Sequence, residues 1–569
     1  MAAPAIDLSD APVFLLRGVP PNLVLTLDDS AEMGAGYIPA DLPLADQAAI
    51  LVTRRAASSD FNPLYYNPRV RYSPAVQADG TPLHGTDGNA DFNAAWRDVF
   101  STNGGCQIDL AHHYVAVWQE TVAPCSADDA ASNVYLVDPL NEEYLASTPP
   151  TDVAAFAKNW AADCLSVGHE CPAYYYVYDP QNGDCDGNKE TDTCYTRVVV
   201  GTDADVNRGE FADAVAARQN FANWFSYYRT RLRLAQTVLS RGMQGLEPKV
   251  RFSYQGLDAA DQDLPGRLES FGRGASTFYN WLFSRRPAGD KPLVHAAIHA
   301  GDFFTTDLPY REDLADASSA LRACRNNFHL LVSDGAWDDD WGTGSIPTAV
   351  NSNKDAQSVT FPTNPFDVTS YTPRPPYADD NIGFLADAAF YYWSRDLRTD
   401  LDNVVPPLVG RSSDTADIFW SRGNDPATWQ HVSTYAVGLG GNGSVAYPDG
   451  TYTYTEGGVQ KSIFTDGFPG SYDALLSGAA DAIPASIKAD DLWHAAINGR
   501  GSFVSAQAPD LLTDSLHGIF DSVAAVGDAS AAAASFNSGS SSTGPRIFQA
   551  LLDSTDWSGE VRAFDVSLG

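Results

Sequence analysis

Short apolar runs alternate along this chain with stretches whose apolar residues recur every three or four positions. Asn22-Leu23-Val24-Leu25-Thr26-Leu27 is a near-continuous apolar run that stops abruptly at Asp28-Asp29-Ser30-Ala31-Glu32. A run of that length and composition predicts a buried strand. Phe328-His329-Leu330-Leu331-Val332 is a second such run, ending in Ser333-Asp334-Gly335. Residues 248–254 alternate like a strand, and 430–439 read as another. Between them the period changes. Phe221, Trp224, Phe225, Tyr228, Leu232 and Ala235 predict helix over 211–242, with Gly242 as its stop. Helices are also expected at 273–285 and 292–304. Ile382, Leu385, Ala386, Ala389, Phe390, Trp393 and Leu397 trace one apolar helix face, and Leu511 to Val526 predicts a closing helix.

Strands alternating with helices predict an α/β fold, a mostly parallel sheet with helices on both faces. Large irregular insertions interrupt it. Residues 33–210 are rich in Pro, Gly, Asn and Tyr, and a loop that long needs structure of its own. They read as an inserted subdomain within a domain made of 6–32 and 211–526. Residues 6–20 form an extended lead-in, 338–378 a second irregular insertion, and 440–485 a Gly/Tyr-rich hairpin. The Ala/Ser/Gly-rich stretch 528–545 predicts a linker. Residues 546–569 look like strands opening another domain that the chain leaves incomplete. No internal repeat is visible.

Composition narrows the class of protein. The chain has 569 residues, 44% hydrophobic and 11% aromatic, which suits a globular molecule with a sizeable core. Its formal charge of −36 argues against binding nucleic acid or an anionic membrane through a basic face. No apolar run is long enough to predict a membrane span. The first residues, Met1-Ala2-Ala3-Pro4-Ala5-Ile6-Asp7, lack the basic and apolar regions of an intact signal peptide. Cys106, Cys125, Cys164, Cys171, Cys185 and Cys194 all fall in the first insertion, with Cys324 apart. That clustering predicts disulfides and an oxidising compartment. Spacing leaves the connectivity open; the local pairs Cys164–Cys171 and Cys185–Cys194 are expected. Cys324 reads as a buried free thiol.

Several features could carry chemistry. In an open α/β sheet ligands bind beyond the carboxyl ends of the strands, so the acidic run after Leu27 is where a site belongs. Asp184, Asp186, Asn188, Glu190 and Asp192 alternate oxygen side chains as in a calcium loop, but the glycine is misplaced for an EF-hand, and a polar loop pinned by Cys185–Cys194 is the expected reading, with calcium the alternative. Asp338-Asp339-Asp340 reads as a solvated loop. The Tyr174-Tyr175-Tyr176 run reads as a strand face. There is no nucleophile elbow, zinc-protease motif or phosphate-binding loop, so no enzyme is expected.

The run from Pro21 to Met33 resembles the first loop of a von Willebrand factor A domain, Asp-x-Ser-x-Ser, which holds a divalent cation with a threonine and an aspartate from two further loops. That resemblance makes Asp28, Ser30 and Asp334 metal ligands and calcium or magnesium the cofactor class. Two positions depart from it. Glu32 stands where the second serine belongs. In Gly289-Asp290-Lys291-Pro292-Leu293, Lys291 stands at the threonine. A lysine ammonium among carboxylates would neutralise them as a cation does. The site is therefore expected to be degenerate, with Lys291 paired to Asp28, Glu32 or Asp334.

A wider resemblance runs through Tyr65-Tyr66-Asn67-Pro68, Gln219 to Arg231, Tyr391 to Leu397, Asp425 to His431, Asp491 to Gly501 and Asp556-Trp557-Ser558-Gly559. These phrases are similar to the PilY family of type IV pilus tip proteins. The resemblance implies a von Willebrand A-like (Rossmann-type) region at the front and, from Asp556, entry into a β-propeller. It implies export to the periplasm and cell surface. It also implies minor pilins as partners at the pilus tip, and roles in pilus assembly, twitching motility, adhesion to host or abiotic surfaces and surface sensing. An alternative is an adhesin domain that binds its ligand through the cation at Asp28, Ser30 and Asp334.

Overall fold

The computed structural model describes residues 19–37, 50–101, 106–140, 152–166, 168–244, 246, 250–339, 346–374, 377–378, 383–409, 419–420, 424–439, 450–456, 459–465, 485–505, 509–528, 546–553 and 558–565. Its centre is a six-stranded sheet of β1 (Asn22–Leu27), β2 (Arg251–Gln255), β3 (Glu269–Ser270), β4 (Asn327–Ser333), β5 (Ser433–Gly438) and β6 (Arg500–Ser505). The spatial order is β3-β2-β1-β4-β5-β6. Every neighbouring pair is parallel except β2 with the short edge strand β3. Order reverses beside β1, and such a switch point opens a crevice at the carboxyl ends of the strands.

Side chains alternate across a strand, so each strand feeds two cores. Leu23, Leu25, Leu27, Phe328, Leu330 and Val332 face one side. There they meet α2 (Arg231–Gly242), α3 (Phe271–Ser284) and α7 (Pro509–Asp528), through residues such as Leu239, Phe278 and Phe520. Val24, Leu331 and Ala436 face the other side and meet Leu293 of α4 (Leu293–Phe303), Leu385 of α5 (Leu385–Trp393) and Leu492 of α6 (Ala485–Asn498). With both faces covered, continuous apolar strands are what a parallel sheet requires. A third, aromatic cluster gathers Phe361, Trp393, Trp420, Trp429 and Trp493 beside α5 and α6.

The sequence predicts one helix over 211–242, and the structure has two, α1 (Ala214–Tyr227) and α2. The break comes at Thr230, whose side chain accepts a hydrogen bond from the Arg233 N–H and restarts the helix. Helix α6 and strand β6 follow one another without having been singled out as elements from the sequence. Gly450–Glu456 and Val459–Thr465 pair as the antiparallel hairpin expected between 440 and 485. Arg546–Asp553 pairs with Ser558–Asp565 in another hairpin. The linker 528–545 lies outside the described residues apart from Asp528, as does the lead-in before residue 19.

The first insertion is tied to the sheet domain through α1. Asn220 accepts from the Tyr72 N–H at 3.0 Å, Asn223 accepts from the Ala90 N–H at 2.9 Å, and the Trp224 indole donates to the Leu64 carbonyl at 3.0 Å. Tyr174–Tyr178 is a strand paired with Tyr195–Val199. Three disulfides join Cys106–Cys125, Cys164–Cys171 and Cys185–Cys194, the last two as expected. Cys324 is a free thiol, half-buried where full burial was expected. Among the described residues no helix is long and apolar enough to cross a membrane.

Candidate functional site

The carboxyl ends of β1 and β4 lie side by side, with Leu27 in register with Val332. The next residue of β1 is Asp28, and the residue after β4 is Asp334. Sheet register alone thus places two carboxylates at the switch point, and both are buried. Asp28 accepts from the Ser30 N–H at 3.0 Å and from the Ser333 hydroxyl at 2.7 Å. The Ser30 hydroxyl is buried and has no hydrogen-bond partner.

Lys291 enters from the loop before α4. Its ammonium donates to Asp334 Oδ2 at 2.9 Å and stands 3.6 Å from Glu32. Asp28 feels the same charge without a direct pair. The ammonium is 5% exposed with its residue, whereas the Glu32 side chain is 58% exposed and forms the outer rim. Asp334 takes a second cation, the Arg231 guanidinium, at 2.6 Å. Arg231 opens α2 next to its Thr230 cap, so the helix break aims this side chain at the site.

These contacts set the proton affinities. Burial drives the Asp28 carboxyl above its ordinary value, Asp334 adds to the rise, and Lys291 opposes it. Burial would raise Asp334 too, but Lys291 and Arg231 outweigh it and hold that carboxyl below its ordinary value. Lys291 mirrors this. Burial disfavours its charge, yet Asp334, Asp28 and Glu32 together raise its proton affinity. Asp29 lies just outside, 3.5 Å from Arg285, with the Leu257 N–H on its other oxygen at 3.2 Å. Burial, the largest effect, lifts its pKa to about 6.

The loop that carries Lys291 is fastened from both sides. The Ala288 N–H donates to the Asp29 carbonyl at 2.9 Å, and the Ala31 N–H donates to the Gly289 carbonyl at 3.1 Å. Asp338 accepts from the Lys291 N–H at 2.7 Å. Asp339 accepts from the Val294 and His295 N–H groups at 2.9 and 2.8 Å, capping α4. Of the solvated loop expected at Asp338-Asp339, Asp338 is exposed, whereas Asp339 is a buried clamp on a helix N-terminus, where the dipole favours a carboxylate. Asp340 lies outside the described residues.

The second acidic run bonds partly within itself and partly to Arg55. Asp186 accepts from the Asn188 N–H and the Thr191 hydroxyl, both at 2.9 Å, and Asn188 accepts from the Glu190 N–H at 3.0 Å. Asp192 accepts from the Arg55 N–H at 3.1 Å, and the Asp184 carbonyl accepts from the Thr193 hydroxyl at 2.8 Å. Among the described residues the one group of His, Cys, Asp or Glu spaced to share an ion is Cys185, Asp186 and Cys194. Its two sulfurs are already joined as a disulfide.

Asp28, Ser30, Glu32, Lys291 and Asp334 are thus brought together from three distant stretches. Sequence reasoning missed Arg231 and Ser333. A signal for Arg231 existed, since an arginine beside Leu232, Leu234 and Ala235 on a helix packed into a core needs a carboxylate partner.

Comparison with known proteins gives the chain its relatives. No family model matches it, and no solved structure matches it. The type IV pilus biogenesis factor PilY1 of Pseudomonas aeruginosa strain PAK is 30% identical over 543 residues, which is 92% of this chain and 40% of the relative. PilY1 of strain UCBPP-PA14 is 30% identical over 539 residues, 91% of this chain and 39% of the relative. The chain spans about two-fifths of the length of the curated relatives it matches. The similarity extends over about nine-tenths of the chain, which belongs to the PilY family.

Proposed function

We propose that this chain acts in a type IV pilus tip protein that interacts with minor pilins and supports pilus assembly, twitching motility, adhesion and surface sensing. The observation that carries the proposal is the similarity to PilY1 over 92% of the chain. Three disulfides in one insertion fit an exported protein that works in the periplasm and at the cell surface. The sheet domain is von Willebrand A-like in this reading. Support comes from the strand order with one antiparallel edge strand, and from Asp28, Ser30 and Asp334 at the switch point.

In this proposal the sheet-edge site works without a divalent cation. Lys291 and Arg231 supply the positive charge that buried carboxylates need. The domain then serves as a fixed scaffold that presents its insertions to partners. The competing reading, a cation-dependent adhesin, draws on the unpartnered Ser30 hydroxyl beside Asp28.

The test is genetic. A deletion strain of the source organism should lose surface pili and twitching, and restoring the gene should recover both. Restoration by a Lys291→Arg allele should also succeed, because the internal charge is kept. Normal piliation in the deletion strain would refute the pilus function. Surface attachment by the wild type that a chelator abolishes would favour the cation-dependent adhesin.

A further inference from the structure

A cavity of about 260 Å³ lies at the seam between the first insertion and the sheet domain, on ground the proposed function does not use. The insertion contributes Asp98, Phe100 and the segment Glu120–Pro124. Helix α2 contributes Leu232, Arg233 and Gln236, and the loop after α3 contributes Arg285, Arg286 and Pro287. Phe100, Val122, Leu232 and Pro287 give it apolar walls. Thr121 and Ala123 are exposed at its mouth.

Charge is concentrated at its base. Arg233 lies 3.3 Å from Glu120 and 3.7 Å from Asp98, and Arg286 lies 3.3 Å from Asp98. Behind them Arg229 pairs with Glu120 at 2.7 Å, and Arg97 pairs with Asp129 at 2.7 Å. This network holds four guanidiniums, Arg97, Arg229, Arg233 and Arg286, against three carboxylates, Asp98, Glu120 and Asp129. Arg285 also lines the cavity but is balanced separately by Asp29 and Asp261. Burial, with repulsion from Arg233 and Arg97, brings the Arg229 pKa down to about 10 despite Glu120. One positive charge is left over, and it falls to Arg286, whose side chain is 37% exposed at the cavity, in a protein whose net charge is −36. An anion in the cavity would pair with this unmatched guanidinium through charge-assisted hydrogen bonds. Arg233 is 5% exposed, and its Nε lacks a hydrogen-bond partner.

We propose that this cavity binds a small carboxylate with an apolar body. The carboxylate accepts hydrogen bonds from Arg233 and Arg286, and the body lies against Phe100, Val122 and Leu232. Drug-sized ligands occupy clefts of roughly 300 Å³ or more, so this space suits a smaller acid. The same chemistry is offered by a free short-chain acid and by the C-terminal residue of a polypeptide.

The wild-type chain and two variants, Arg286→Gln and Ala123→Trp, are titrated by calorimetry. The probes are isocaproate, isocaproamide, N-acetyl-alanyl-leucine and the C-terminal amide of that peptide. Circular dichroism confirms that each variant is folded. Both acids should bind the wild type, and each amide should bind at least about tenfold more weakly. Arg286→Gln should weaken the acids by about tenfold or more, because a charge-assisted partner is lost while Arg233 remains. Ala123→Trp should block binding at the mouth without changing charge. The peptide binding tighter than isocaproate would identify a chain end as the source, and the reverse a free acid. The proposal fails if neither acid binds folded wild type at about 10 mM, if acids and amides bind alike, or if Arg286→Gln leaves affinity unchanged.

Discussion

Replacing Lys291 by Met keeps the length of the side chain and removes its charge. In the wild type the ammonium is 2.9 Å from Asp334 and 3.6 Å from Glu32. At an effective dielectric constant of about 20 the first contact alone has a Coulomb energy of roughly 6 kcal/mol, before the cost of desolvating both ions. Removing one partner of a buried pair costs about 3–5 kcal/mol. Arg231 stays on Asp334 in the variant, which places the loss at the lower end, about 3 kcal/mol near neutral pH. The Glu32 contact adds little, because that carboxylate is largely exposed and screened. Asp28 then bears the charge that Lys291 no longer offsets, with only the Ser30 N–H and Ser333 hydroxyl for support. Its carboxyl should take up a proton more readily still, so the penalty should shrink as the pH falls into the carboxylate range. Whole-chain unfolding is a poor readout for a molecule of this size. Amide hydrogen exchange of β1 and β4 reports the opening of this part of the sheet directly. A loss under about 1 kcal/mol, or one that does not vary with pH, would refute the view that Lys291 acts as an internal cation.

Three further outcomes follow from the same contacts. The paired change Glu32→Ser with Lys291→Thr should create Mg²⁺ or Mn²⁺ binding that the wild type lacks; metal at a hundredfold excess over its Kd should then stabilise the variant by about 2.7 kcal/mol, read by thermal shift. Asp29 has its pKa raised from 3.8 to about 6. Between those values the folded state keeps a proton that the unfolded state has lost. Stability should therefore fall with rising pH by roughly 3 kcal/mol across that window and level off above it, and Asp29→Asn should abolish that fall in exchange measurements at β1. Replacing Cys106 and Cys125 together by Ser releases a loop of 19 residues and should cost about 3 kcal/mol, seen as faster proteolysis within the first insertion.

The parts of this fold that were readable in the sequence are those where one local rule decides the outcome. Val24 to Leu27 and Phe328 to Val332 are largely apolar on both faces, apart from the buried Thr26–His329 pair, because helices cover both faces, and that pattern names a buried parallel strand. The helix break at Tyr228–Thr230 was hidden because apolar periodicity runs straight through it. Only the Thr230 cap and the need to aim Arg231 at Asp334 reveal it. Helix α6 carried the same spacing through Leu492, Trp493, Ala496 and Ile497, but it follows a long Gly/Ser/Ala stretch that obscured its start. At the site, Asp28 and Asp334 could be named because each ends a strand. Lys291 could be named because it interrupts a loop resembling a known one. Asp339 could not, since its role as a cap on α4 depends on a contact with a helix 44 or more residues back in the chain. The cavity beside Arg233 was equally invisible, because its walls come from four segments that meet only in the folded chain.

The central claim is that this chain works at the pilus tip. Its most direct test is co-purification of the folded chain with the minor pilins of its own organism across a range of salt concentrations. A stoichiometric complex that persists as salt is raised is the predicted result, with the insertions as the surfaces that hold it. A folded chain that captures no minor pilin at any salt concentration would contradict the account and place pilus attachment elsewhere.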